Sequence, residues 1–114
     1  MYIVGKIDRN IYKCITDDIV TEDVIITDER ISHIKERHPN DYERYYKYMK
    51  EVIEKPDFII SGNKPNTALI LKEFSYGDEQ FKTILRLSTS FDNTNFKNSI
   101  ITFMKINNRE WERL

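Results

Sequence analysis

The sequence predicts an α+β fold, with two N-terminal helices packed on an antiparallel sheet of about four strands and a short N-terminal β-hairpin ahead of them. Three observations lead there. Apolar residues recur at helical spacing between residues 27 and 55, while short apolar strands fill residues 58–106. Turn clusters rather than helices separate those strands, the pattern of a meander. One face of such a sheet is covered by the helices, and the other is free to line a cleft.

The elements follow in order. Tyr2–Val4 and Ile11–Ile15 are apolar segments separated by Asp8-Arg9-Asn10, a turn cluster, and predict the hairpin. Cys14 alternates with apolar residues there and reads as a packed strand thiol, not a nucleophile. Thr16–Asp23 is an acidic loop, and Val24–Ile26 a third apolar segment. Thr27 then caps a helix whose first turn carries Asp28 and Glu29, and Pro39 disfavours helical geometry at His38. A second helix runs from about Asp41 to Lys55, with Tyr42, Tyr45, Tyr46, Met49, Val52 and Ile53 on one stripe. Pro56-Asp57 ends it and launches a strand at Phe58–Ile60. Ser61–Asn66 is a turn cluster, and Thr67–Phe74 and Phe81–Ser88 form a hairpin. Pairing Phe74 with Phe81 would set Glu73 opposite Lys82. Residues 90–98 form a polar loop before a last strand at Ser99–Ile106, and the tail forms one more helical turn.

At 114 residues the chain holds a single domain, 1–114, in which 1–26 are a hairpin and loop extension and 27–114 the core. With 39% hydrophobic residues and only three glycines and three prolines, it is neither disordered nor fibrous. No apolar run approaches the roughly 20 residues that span a bilayer, and the N-terminus lacks a signal-peptide pattern, so no membrane partner and a cytoplasmic location are expected. A lone cysteine excludes an internal disulfide, and no Cys/His spacing marks a zinc site. The net charge of −1 argues against binding nucleic acid in bulk, so any such contact must come from locally concentrated cations.

The chemistry-bearing residues concentrate on the first helix. At about 100° per residue, Arg30, His33 and Arg37 share one side, with Ile31, Ile34 and His38 on the adjoining stripe. A titratable imidazole beside fixed cations suits work on a phosphate. Later strands add Lys72, Arg86 and Thr102, polar interruptions of apolar runs. A buried charge is costly unless paired or engaged with a ligand, and the bland alternative is exposure across the open sheet face. Together these groups meet the needs of RNA cleavage without metal or cofactor. A base takes the ribose 2′-OH proton, cations and hydroxyls stabilise the attacked phosphate, and an acid protonates the leaving 5′-oxygen. His33 is the better acid or base; Arg37, Lys72 and Arg86 are candidates for phosphate contact.

The motif order Ile26–Pro39, Pro56-Asp-Phe-Ile-Ile60, Leu69-Ile-Leu-Lys72 and Asn98-Ser-Ile-Ile-Thr102 resembles the phage-associated nuclease domains of the barnase–EndoU–colicin–RelE-like (BECR) superfamily, from about residue 24 onward. The resemblance implies two N-terminal helices on a four-stranded antiparallel sheet and a toxin-like, metal-independent endoribonuclease. It implies RNA, with tRNA among the candidates, as substrate, and a cognate immunity or antitoxin protein as partner. It assigns catalysis to His33, Lys72 and Thr102, with Arg37 and His38 in support and Ser99 a lesser candidate. Arg30 and Arg86 complete the expected substrate contacts. Two readings compete with it: a catalytically inactive binding module, and a metal-dependent hydrolase using the acids of 16–23.

Overall fold

Which strands pair is decided by where their apolar faces find cover, and that cover is wider than a four-stranded meander provides. The computed structural model describes residues 1–74 and 79–114. Among them β1 (Tyr2–Lys6), β2 (Asp23–Ile26), β3 (Phe58–Ser61), β4 (Thr67–Phe74), β5 (Glu79–Arg86) and β6 (Asn98–Ile106) form one sheet in the order β1-β2-β6-β5-β4-β3. The helices are α1 (Arg9–Tyr12), α2 (Asp28–Arg37), α3 (Asp41–Tyr45), α4 (Met49–Glu54) and α5 (Asn108–Arg113).

The expected arrangement of two helices on a four-stranded antiparallel sheet is therefore corrected, and so is the N-terminal hairpin. Asp8 accepts a hydrogen bond from the Asn10 backbone N–H at 2.9 Å and caps α1, so Ile11–Ile15 does not form a strand. Tyr12 is instead buried, its hydroxyl donating to the Ile53 carbonyl at 2.8 Å, and Cys14 is exposed. β1 pairs antiparallel with β2, and β2 pairs parallel with β6 at Val24–Asn98 and Ile25–Ser99, which makes the sheet mixed. Val24, Ile25 and Ile26 are all buried, the continuous apolar run of a strand covered on both faces. Asn98 clips this junction together. Its buried amide donates to the Thr21 and Asp23 carbonyls at 2.7 and 3.0 Å and accepts from the Ser88 N–H at 2.7 Å.

The first helix follows its expected signals. Thr27 accepts from the Arg30 N–H at 3.2 Å, and α2 ends at Arg37, two residues before Pro39. The second is broken. α3 gives way to a 3₁₀ turn at Tyr46–Tyr48 before α4 begins. Clustered aromatics are poor helix formers, and a three-residue period aligns Tyr45 and Tyr48 so that both rings pack on Phe81, at 5.1 and 5.4 Å. Phe81 in turn stacks on Phe103 at 5.3 Å, which places the core between the helices and this face of the sheet.

Strand register fixes what lies on the other face. Phe74 pairs with Glu79, not Phe81, so Glu73 lies opposite Gln80 and hydrogen-bonds it at 2.7 Å. The expected Glu73–Lys82 pair is thus displaced by two residues, because the pairing continues as far as Phe74 and Glu79; residues 75–78 of the expected connection lie outside the described residues. A shift of two preserves which face each side chain meets. In β6, a register shift sets Thr102 opposite Ile84 but Ile100 opposite Leu85, leaving Ile101 as an extra residue. That bulge reconciles two buried core residues, Ile100 and Phe103, spaced three apart. Beyond the sheet, α5 lays Trp111 edge-on against Phe58 of β3, 5.8 Å between centroids. The helix-free face is therefore partly covered at its β3 edge. No helix among the described residues is long and apolar enough to cross a membrane.

Candidate active site

The sheet face away from the core carries Thr67 on β4, Ile84 and Arg86 on β5, and Ile101 and Thr102 on β6, because each adjoins a core-facing neighbour in its strand. Four of these, Thr67, Ile84, Arg86 and Ile101, line a cavity of about 400 Å³ that also receives Arg30 from α2 and Lys64 from the turn joining β3 to β4. Three cations thus converge from three separate elements on an aliphatic floor. No carboxylate is among the lining residues.

Each wall is locally built. The 61–66 turn closes with Gly62 donating to the Thr67 carbonyl at 2.8 Å, and the Thr67 hydroxyl donates to the Lys64 carbonyl at 2.5 Å. Gly62 is required there, since a Cβ would collide with the Thr67 hydroxyl. Asn66 adopts φ of 58°, a left-handed conformation that asparagine tolerates. Arg86 is oriented from behind: its guanidinium donates to Asp92 Oδ1 at 2.8 Å and Oδ2 at 3.3 Å and to the Leu87 carbonyl, and lies 5.3 Å from the Phe96 ring centre. Hydrogen bonding from the Thr89 backbone N–H holds the Asp92 carboxyl below its usual 3.8, with Thr89's hydroxyl and Arg86 pulling the same way against desolvation. Asp92 therefore stays ionised and keeps the fork of Arg86 in one plane. Arg30 has no ion-pair partner among the described residues.

The remaining candidates from sequence divide by position. His33 and Arg37 are exposed on α2, one and two turns beyond Arg30 and on its side of the helix. His38 is half-buried at the end of α2, where its N–H donates to the Ile34 carbonyl at 2.8 Å. Ser99 pairs across the strands with Arg86, and its hydroxyl donates to the Lys97 carbonyl at 3.0 Å. Lys72 is not brought to this group. It pairs with Phe81 and so points to the helix-covered side, 3.5 Å from Asp57 and 5.7 Å from the Phe74 ring centre. Lys72 and Thr102 thus lie on opposite faces. Lys64, Thr67 and Asp92 were missed in the sequence; the turn cluster 61–66 was visible, but not that its side chains fold over the open face. Among the described residues no three His, Cys, Asp or Glu side chains gather as a metal ligand set.

Residues 3–114 match the model of a family described as phage-Barnase-EndoU-ColicinE5/D-RelE like nuclease2 (PBECR2). The chain belongs to this nuclease family. The match extends the resemblance, read from residue 24, back through β1 and α1. For PBECR2, the N-terminal segment is thus part of the nuclease unit, consistent with its burial of Tyr12 and its place in the sheet. No curated protein and no solved structure matches the chain.

Proposed function

We propose that this nuclease is a metal-independent endoribonuclease that cleaves by transesterification, with the scissile phosphate bound in the open-face cavity. The observation that carries this reading is the convergence of Arg30 and Arg86 from α2 and β5 on one cavity with Lys64 and no carboxylate. Such a lining, in which Arg30 and Lys64 have no ion-pair partner among the described residues and Arg86 is shared with Asp92, attracts an anion and presents no carboxylate to a divalent cation.

In this reading the two guanidiniums grip the non-bridging phosphate oxygens and stabilise the charge that grows on them as the 2′-oxygen attacks phosphorus. The P–O5′ bond breaks, leaving a 2′,3′-cyclic phosphate and a free 5′-hydroxyl. His33, one helical turn from Arg30, serves as general acid or base, and Arg37 extends the cationic side of α2 for flanking phosphates. Thr102, beside Ile84, supplies a hydroxyl on the same face, while Ser99 and His38 support the strand and helix ends that carry the site. Lys72, on the far side of the sheet, has no part in it; its ammonium is engaged by Asp57.

The test is incubation of wild type and His33→Ala with total tRNA and rRNA in EDTA, followed by end-group mapping. Fragments with 2′,3′-cyclic phosphate ends that disappear with His33→Ala are expected. Cutting only after added Mg²⁺, or fragments ending in plain 3′-hydroxyls, would overturn the mechanism.

A further inference from the structure

A second concave surface lies on the opposite flank of α2, where β1 meets α3 and the 3₁₀ turn. Successive α2 residues divide between the two: Arg30 lines the open-face cavity, and Ile31 lines this groove of about 530 Å³. Its walls hold Tyr2, Tyr42 and Tyr46 together with Lys35, Lys47 and Lys50, again with no carboxylate among the lining residues. In a chain of net charge −1, such a local excess of cations is a departure from the average surface.

Three features bear on what the groove accepts. Tyr2 and Tyr46 are 56% and 55% exposed, so their rings are open to a ligand lying in the groove. Tyr46 stacks on Tyr42 at 5.8 Å with rings inclined by 26°, forming a ledge, and the Lys35 ammonium sits 5.5 Å from the Tyr42 ring centre. The cations remain available: among the described residues Lys47 has no ion-pair partner, Lys35 makes an exposed pair with Glu43 at 3.5 Å that water screens, and Lys50 reaches the half-buried Glu54 only at 3.9 Å. Flat aromatic faces interleaved with ammonium groups suit unpaired bases on a charged backbone, since every base has a π face and every linkage a phosphate.

We infer that this groove binds single-stranded nucleic acid, as a second contact for the same RNA whose scissile phosphate occupies the open-face cavity. The inference rests on the RNA-cleaving reading. Both surfaces draw residues from α2, Arg30 for the cavity and Ile31 and Lys35 for the groove, so one strand crossing this helix would meet both. Tyr46 stacks a base, and Lys47 and Lys50 hold the adjacent phosphates.

The experiment measures anisotropy of a fluorescent 2′-O-methyl-uridine 12-mer, which lacks the attacking hydroxyl, across a salt series. Wild type, Tyr46→Ala and Lys47→Ala/Lys50→Ala are compared, with circular dichroism to verify folding and sedimentation to report oligomeric state. Tyr46→Ala is expected to weaken binding about 5- to 10-fold. The double lysine variant should flatten the dependence of log affinity on log salt by about 1.4, two phosphates' worth. Folded variants that bind like wild type, or a wild type that binds no 12-mer, overturn the inference. A concentration-dependent dimer that the groove substitutions dissociate also overturns it, by assigning the surface to a second copy of the chain. Groove-dependent binding by a protein that leaves ordinary RNA intact, in a parallel incubation, keeps the groove as a single-strand site but overturns its role as a second contact for a cleaved RNA, together with the cleavage proposal. Cleavage with no groove-dependent binding overturns the groove alone.

Discussion

Arg30→Ala separates the chemistry of the cavity from the integrity of the fold. Arg30 lines the cavity but has no ion-pair partner among the described residues, so truncation strands no opposite charge. The capping bond from Thr27 ends on the Arg30 backbone N–H, which alanine keeps. Alanine is also the best helix former, so α2 loses nothing in propensity. Arg30 is half-buried, so only the packing of its stem is lost, and stability should fall by no more than about 1 kcal/mol. Activity should fall much further. Loss of one preorganised donor to a developing oxyanion costs about 2.7–4 kcal/mol, or 10²–10³ in rate. The assay is single-turnover cleavage of an end-labelled RNA in EDTA, with thermal unfolding followed on the same samples. Arg30→Lys should recover part of the loss, since it restores charge but not the two-pronged geometry. A cleavage rate unchanged in Arg30→Ala at unchanged melting temperature would refute the placement of the phosphate. Parallel collapse of both would show that Arg30 holds the fold instead.

Two further predictions concern the core. The Thr83 hydroxyl is the buried side-chain group without a hydrogen-bond partner among the described residues, facing the core opposite Ile70 and Phe103. Thr83→Val keeps the shape and removes that defect, so it should stabilise the protein by about 1–3 kcal/mol without changing cleavage; a lower denaturation midpoint in urea would contradict this. Burial, aided by nearby Cys14, raises the Tyr12 hydroxyl above its usual 10.0. The folded protein thus keeps that proton while the unfolded chain releases it near pH 10, so Tyr12 contributes stability below that pH and loses it as pH rises. Tyr12→Phe should cost about 1 kcal/mol at pH 8 by deleting the bond to Ile53, and the deficit should shrink between pH 10 and 11. A deficit independent of pH over that range would rule out the ionisation.

What could be read from the chain was what local rules govern. Thr27, Asp28 and Pro39 announce α2 because capping and proline sterics act within a few residues. Strand alternation likewise exposes β3 to β6. The second helix was legible as a stripe but not as a broken one, because the 3₁₀ turn answers to Phe81, more than thirty residues away. Ile11–Ile15 alternates like a strand, yet the Asp8 cap and the burial of Tyr12 prevail. Nothing local to Val24–Ile26 names Asn98 as its partner, so the parallel junction, and with it the six-stranded sheet, was out of reach. The site divides the same way. His33, Arg30 and Arg37 share a helix and could be grouped from spacing alone. Lys72 and Arg86 looked equivalent as charged interruptions of strands, and only register assigns them to opposite faces.

The position of β6 has a consequence for how the molecule comes into being. β1 and β2 lie on one side of it, and β3 to β5 on the other. Until residues 98–106 are available, the growing chain holds two separate pieces of sheet with no strand between them. A ribosome translating this chain must therefore have released β6 from the exit tunnel before the two halves can close. Arg30, on α2, and Arg86, on β5, then come to line one cavity for the first time. The cavity that Arg30 and Arg86 share therefore cannot form before β6 does.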